Sequence, residues 1–198
     1  ILIGLVGSEM CIRDRKYIAL TFDDGPSSFT DRLLDCLEAN NAKATFFMVG
    51  KEIEYFSDQV KRMETLGCEL GNHTYSHTDL STLAPEDMSA EIAGVDELLT
   101  ELTGHGATVV RPPYGSVNSS VKETVGTPMI LWSIDTLDWE SQDPQKIVDT
   151  TLSQVEDGSI ILMHDIFSTT VDAAEILIPQ LKKQGYEMVT VHELAKRN

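Results

Sequence analysis

The sequence has little cysteine, little basic charge and no long apolar run, and each shortage excludes a class of protein. Three cysteines among 198 residues are too few and too scattered for a disulfide scaffold or a cysteine zinc site. Lys and Arg number 15 against 32 Asp and Glu, so the chain lacks the basic face that binds phosphates. No apolar run approaches the roughly 20 residues of a membrane span. We therefore expect a protein that binds no nucleic acid and has no membrane span.

The length and composition predict one globular domain. The chain is 41% hydrophobic and 24% charged, which is typical of a protein with a single well-covered core. The net charge of -17 is interpreted as a solubilising acidic surface. We expect residues 16–198 to form this domain and to act as a monomer.

Residues 1–15 are interpreted as a segment outside the core. The opening 1–6 is apolar but short and fits the remnant of a clipped leader, although it lacks a clear small-residue cleavage site. Residues 6–15, VGSEMCIRDR, resemble a translated sequencing adapter. The segment is therefore either a leader remnant or an artefact, and the fold is predicted from residue 16 onward.

Strand-like and helix-like segments alternate along the remainder of the chain. The predicted strands are 17–22, 44–49, 69–72, 108–110, 129–132, 159–163 and 187–189. The clearest helix begins at Pro85, and apolar residues then recur every three or four positions up to Leu102. This order predicts an α/β fold with about seven parallel strands covered by helices. Either an open doubly wound sheet or a small, incomplete barrel satisfies it, because a complete eight-fold barrel needs about 250 residues.

Polar residues concentrate where the predicted strands end. Because ligands collect at the carboxyl ends of parallel strands, these residues are the candidates for a functional site. They are Asp23 and Asp24, His73 and His77, Arg111, Asp135 and Asp138, and His164 and Asp165. By contrast, His105 and His192 have no partner pattern and are interpreted as loop or surface residues.

His73 and His77 are spaced for metal binding. Four residues apart, they would lie on one face of a helical turn. Two imidazoles and one carboxylate, with one open position, form a catalytic zinc-type site. The segment lacks the Glu of a metalloprotease His-Glu-x-x-His motif, so the base must come from elsewhere.

The Asp23-Asp24 pair supplies both a third ligand and a base. Successive side chains point to opposite faces of a strand, so one carboxylate can bind metal while the other faces water. A receiver-type phosphorylation domain also has an acidic pair after its first strand. That alternative predicts a phosphoacceptor Asp and a late Lys rather than two histidines four residues apart, and is therefore disfavoured.

Together these segments resemble the polysaccharide deacetylases of carbohydrate esterase family four. The resemblance covers about residues 16–198, and its motifs occur in the family's order at 21–26, 73–77, 111–115, 135–139 and 162–164. It implies a distorted, incomplete (β/α) barrel with an open groove. It also implies a metal-dependent hydrolase that removes acetyl groups from a polysaccharide outside the cell or at its surface.

The resemblance further implies a role for each motif residue. Asp24, His73 and His77 would bind the metal, and Asp23, paired with Arg111 and held ionised by it, would be the general base. Asp138 would hold His164 protonated as the general acid. Tyr114 would lend its backbone N–H to an oxyanion hole, and Trp139 and Leu162 would form the pocket for the acetyl methyl group.

The metal and the substrate are less narrowly defined than the site. Zinc suits the mixed nitrogen and oxygen ligands best, and cobalt, nickel or manganese could substitute. The favoured substrate is the N-acetylglucosamine unit of peptidoglycan or a chitin-like polymer. The alternatives are O-deacetylation, as in an acetylxylan esterase, and a catalytically silent carbohydrate-binding relative.

Overall fold

The computed structural model describes residues 15–197. The predicted non-core segment 1–15 therefore lies, apart from Arg15, outside the described residues. Between residues 15 and 197, no helix has the length and apolar character that crossing a membrane requires.

One parallel sheet organises the chain. In the described residues it has seven strands: β1 (Lys16–Asp23), β2 (Thr45–Met48), β3 (Glu69–Asn72), β4 (Val109–Val110), β5 (Ile134–Asp135), β6 (Ile160–His164) and β7 (Tyr186–Met188). The strand order is β4-β3-β2-β1-β6-β5, and β7 pairs with the first residues of β1. Within this part of the chain β4 and β5 do not pair, so the sheet curves without closing. The predicted incomplete (β/α) barrel is confirmed.

Helices cover the sheet, and nine lie within residues 15–197. They are α1 (Thr30–Ala39), α2 (Gly50–Tyr55), α3 (Ser57–Thr65), α4 (Pro85–Thr103), α5 (Ser119–Thr124), α6 (Asp138–Ser141), α7 (Pro144–Gln154), α8 (Ser168–Lys183) and α9 (Val191–Ala195). The helix predicted from Pro85 is α4, and Gly104 ends it in the left-handed conformation expected of a C-terminal glycine. The short helices α2 and α6 were not predicted, because neither is long enough to show an apolar period.

The central strand β1 is apolar along most of its length because both of its faces are buried. Ile18, Leu20 and Phe22 are fully buried, and Ala19 on the opposite face is fully buried as well. A parallel strand covered on both faces reads as a continuous apolar run, as β1 does. Its position fixes Asp23, its last residue, at the centre of the carboxyl edge.

The strand predicted at 129–132 is wrong. Met129 forms only an isolated bridge with Val110, and β5 begins later, at Ile134. The carbonyls of Ile130 and Leu131 instead accept hydrogen bonds from the Arg111 guanidinium, at 3.1 and 2.9 Å. These apolar residues therefore serve to hold a buried cation rather than to extend the sheet.

Candidate active site

The carboxyl edge of the sheet surrounds a cleft of about 450 Å³. Strand pairing brings Asp23 of β1 level with His164 of β6, and β3 ends immediately before His73. The predicted residues that line the cleft are Asp23, Asp24, His73, His77, Tyr114, Asp135, Trp139, Leu162 and His164. Arg111 and Asp138 are fully buried and reach the cleft through Asp23 and His164.

Asp24, His73 and His77 form one cluster. One potential ligand atom from each lies within 4.8 Å of the others. Asp24 Oδ1 is 3.4 Å from His73 Nε2 and 3.1 Å from His77 Nε2.

The predicted helical turn between the two histidines is wrong, although their proximity is right. Residues 73–79 form a loop, and Thr74 and His77 have φ values of 67° and 58°. Side chains hold this loop: Asn72 accepts from the Thr74 N–H, and Glu91 accepts from the Ser76 N–H and hydroxyl. Left-handed residues stabilised by tertiary contacts thus bring the imidazoles together.

The reason expected for the division between Asp23 and Asp24 also needs correction. Only Asp23 lies in β1; Asp24 follows with a φ of 70°, outside the strand. Strand alternation therefore does not separate the carboxylates, and both line the cleft. Their partners separate them instead. Asp23 Oδ1 accepts a 2.7 Å hydrogen bond from Arg111, whereas Asp24 Oδ1 faces two imidazoles.

Arg111 is held by four acceptors. Its Nη1 donates to Asp23 Oδ1 at 2.7 Å and to the Thr21 hydroxyl at 2.8 Å. The Nε and Nη2 groups donate to the carbonyls of Ile130 and Leu131. A fully buried cation needs such partners, because leaving one unpaired costs several kcal/mol. The guanidinium therefore fixes the orientation of the Asp23 carboxylate.

Asp138 accepts four hydrogen bonds and orients His164. Oδ1 accepts from the His164 Nδ1–H and from the Trp139 backbone N–H, at 2.8 and 2.9 Å. Oδ2 accepts from the His164 backbone N–H and from the Thr170 hydroxyl, both at 2.7 Å. Burial disfavours the charged imidazole, but Asp138, with smaller contributions from Asp23 and Asp24, outweighs burial and raises the pKa of His164 to about 9. His164 is therefore protonated at neutral pH.

The remaining predicted residues frame the cleft. Tyr114 and Trp139 are 71% and 51% exposed, and Leu162 is buried at the base. Tyr114 has a φ of 60°. In this turn the N–H groups of Gly115 and Ser116 bond to nearby carbonyls, whereas within the described residues the Tyr114 N–H does not. Its backbone donor is thus free for a ligand.

The donor set fits a divalent cation. His73 Nδ1 lies 2.6 Å from the Arg111 carbonyl, so Nδ1 carries the proton and Nε2 presents a lone pair toward Asp24. Asp24 Oδ1 is buried, and within residues 15–197 it accepts no hydrogen bond of acceptable geometry. A lone pair facing an anionic oxygen is unfavourable unless a cation lies between them. The His-His-Asp set suits zinc and related metals.

Two histidines have no predicted role in the site, and one threonine in the site was not predicted. His105 lies beside Glu64 and the His192 N–H bonds to Glu69, both away from the cleft, as expected.

Thr170 was missed, because a threonine in the first turn of a helix carries no pattern that distinguishes it. Its neighbour in the site, Asp138, identifies it only once the chain is folded.

Comparison with known proteins identifies the family. The family model for polysaccharide deacetylase matches residues 12–127. The chain is 38% identical to the peptidoglycan-N-acetylmuramic acid deacetylase PdaC of Bacillus subtilis, over 97% of this chain and 41% of that protein. It is 40% identical to the peptidoglycan-N-acetylglucosamine deacetylase PgdA of Listeria monocytogenes, over 92% of this chain and 39% of that protein.

Solved structures agree. The PdaC structure superposes with a TM-score of 0.90 at 38% identity, covering 92% of this chain and 91% of that one. A family 4 acetyl xylan esterase from Clostridium thermocellum, in complex with cobalt, superposes with a TM-score of 0.87 at 33% identity, covering 92% and 91%. The chain belongs to the polysaccharide deacetylases, the carbohydrate esterases of family four. It spans about two fifths of the length of the two curated relatives.

Proposed function

We propose that this chain is a metal-dependent hydrolase that removes acetyl groups from N-acetylglucosamine units of peptidoglycan or a chitin-like polymer. One observation carries the proposal. Asp23, a carboxylate held by an arginine, and His164, an imidazole held protonated by a carboxylate, line the same cleft as a His-His-Asp cluster. An acyl-transfer hydrolase needs a base, an acid and an electrophile in this proximity.

Asp24, His73 and His77 would hold the metal, and zinc is the first choice. When bound, a divalent metal lowers the pKa of a coordinated water and polarises the acetyl carbonyl. The cobalt in the C. thermocellum esterase supports a divalent metal in this fold. His73 donates its Nδ1–H to the Arg111 carbonyl. This hydrogen bond supports the ligand role of His73, because it leaves Nε2 free to bind the metal.

Asp23 is proposed as the general base. It takes a proton from the attacking water as the water oxygen bonds to the acetyl carbon. Arg111 binds Oδ1 and leaves Oδ2 for this purpose. The Tyr114 backbone N–H is proposed to donate to the carbonyl oxygen as its negative charge develops, and one such donor is worth about 2.7–4 kcal/mol in comparable sites.

His164 is proposed as the general acid. Its Nδ1–H is bound to Asp138, so Nε2 is the nitrogen that gives a proton to the leaving nitrogen as the C–N bond breaks. The products are acetate and a free amine. Trp139 and Leu162 line the cleft beside His164 and would enclose the acetyl methyl group, and exposed Tyr114 would contact the sugar.

The substrate assignment is supported by two named relatives that act on peptidoglycan, PdaC and PgdA. O-deacetylation is a second candidate, favoured by the match to the C. thermocellum acetyl xylan esterase. Such polymers lie outside the cell membrane, so we propose an extracellular or cell-surface location. We also propose that residues 16–198 form a polysaccharide deacetylase catalytic domain and act as a monomer.

Acetate release tests the proposal directly. The purified chain, loaded with zinc, is assayed on chitooligosaccharide, peptidoglycan and acetylxylan, and then after chelation and after zinc is restored. We expect release from the N-acetylated substrates, loss on chelation and recovery with zinc. Faster release from acetylxylan would favour the esterase, and binding without release would identify a carbohydrate-binding relative.

A further inference from the structure

Asp165, which follows the general acid, is fully buried and does not line the cleft. Its Oδ2 accepts a 2.5 Å hydrogen bond from the Thr30 hydroxyl. Within residues 15–197, no donor reaches the other oxygen, Oδ1. A buried carboxyl oxygen without a partner is unfavourable, so its position needs a reason.

The unpaired oxygen lies directly against Gly25. A Cβ atom added at Gly25 would be 2.0 Å from Asp165 Oδ1 and 2.7 Å from its Cγ. The φ angle of Gly25 is not in the left-handed region, so its backbone conformation does not require glycine. The Asp165 carboxyl is what requires glycine at this position, because no side chain fits between it and the backbone of residue 25.

Gly25 connects this contact to the metal cluster. It follows Asp24, and its carbonyl accepts a 2.9 Å hydrogen bond from the Val49 N–H. Gly50, which follows Val49, donates its N–H to the Thr74 carbonyl at 3.1 Å. Thr74 lies in the loop that carries both histidines. The backbone at Gly25 therefore links the carboxylate ligand to the loop of the imidazole ligands.

The chain after Gly25 is held by the same residue. The Ser27 hydroxyl donates to the Asp165 carbonyl at 2.7 Å, and the Ser27 N–H donates to the Thr30 hydroxyl at 2.7 Å. Asp165 thus contacts the turn at Gly25 with its side chain and at Ser27 with its backbone.

We infer that Asp165 is a positioning residue for the metal site: its carboxyl packs on Gly25 and holds Asp24 Oδ1 opposite the two imidazoles. The inference rests on the proposed function, in which Asp24 is a metal ligand. Asn is the closest neutral isostere of the Asp165 carboxyl, because it keeps the size and shape of the side chain and removes its charge.

A double-mutant cycle on zinc affinity tests the contact. Zinc dissociation constants are measured by chelator competition for the wild type, Gly25→Ala, Asp165→Ala, Asp165→Asn and the double variant Gly25→Ala/Asp165→Ala. Gly126→Ala is the matched glycine control, because a Cβ there meets nothing within 4 Å. Circular dichroism and thermal melting establish that each variant is folded.

Gly25→Ala should weaken zinc binding about tenfold or more, as expected for a steric clash beside a ligand. The double variant should bind zinc more tightly than Gly25→Ala alone, since removing the carboxyl opens the space that the new Cβ needs. Asp165→Asn and Gly126→Ala should both bind zinc with close to the wild-type affinity.

The outcomes separate the inference from the proposed function. If the wild type binds no zinc, or if Asp24→Asn binds as tightly as the wild type, the metal-site assignment fails and this inference fails with it. If those two behave as proposed but folded Gly25→Ala keeps wild-type affinity, Asp165 has no positioning role. A double variant no better than Gly25→Ala would likewise overturn it.

Discussion

Asp138 accepts hydrogen bonds from His164 at both carboxylate oxygens. Oδ1 takes the ring Nδ1–H at 2.8 Å, and Oδ2 takes the backbone N–H at 2.7 Å. The ring contact fixes the tautomer, and the backbone contact keeps the carboxylate from rotating away. Asp138 thus orients the imidazole and contributes most among the carboxylates that raise the pKa of His164 to about 9.

Asp138→Asn should move the basic limb of the pH–rate profile to lower pH. The acid must be protonated, so activity falls as pH rises through the pKa of His164. Burial opposes the imidazolium and Asp138 is the group that favours it most, so removing the charge of this carboxylate should lower that pKa. The measurement is kcat/KM against pH, with metal content checked at each end of the range. An unmoved basic limb at full metal occupancy would remove His164 from the acid role.

His164→Ala should impair N-deacetylation more than O-deacetylation. An amine nitrogen departs poorly without a proton, whereas a sugar oxygen is a better leaving group and needs less help. Loss of a general acid typically costs about 10²–10⁴ in rate. The wild type and the variant are compared on N-acetylated and O-acetylated substrates, provided that the wild type accepts both. Equal losses on the two would indicate a role that does not depend on the leaving group.

Asp23→Asn and Asp24→Asn should fail in different ways. Asp23 is paired with Arg111, so its substitution should leave zinc bound while kcat falls by about 10²–10⁴. Asp24 faces both imidazoles, so its substitution should lower zinc affinity first. Zinc titration beside steady-state kinetics distinguishes the two. Equal loss of zinc in both variants would contradict the division between ligand and base.

Arg111→Met should destabilise the fold as well as reduce activity. The substitution leaves the buried Asp23 carboxylate without its cation and removes the donor for two carbonyls. Breaking a buried ion pair costs about 3–5 kcal/mol. The free energy of unfolding is measured in urea. The matched double variant Arg111→Met/Asp23→Asn should recover part of the loss, because no unpaired charge remains.

The spacing of apolar residues along the sequence was sufficient to predict much of the architecture. The apolar run of β1 and the three-and-four spacing in α4 predicted those elements, because burial on both faces or on one face leaves a visible pattern. Where apolar residues serve another purpose, the pattern misleads. Residues 129–132 are strand-like in composition, yet their carbonyls bind Arg111, a partner that is distant in sequence.

The chemical identity of the candidate site was also readable in the sequence. The strand ends carry His73, His77 and the Asp23-Asp24 pair. Parallel strands bring their carboxyl ends to one edge of the sheet, independently of the conformation of the loops. Only the folded chain decided how these groups meet. The histidines converge through left-handed loop residues rather than a helix, and Arg111 rather than strand alternation separates the two carboxylates. Residue type and order are local properties, whereas the contacts of Thr170 with Asp138 and of Asp165 with Gly25 join elements far apart in the chain and exist only after packing.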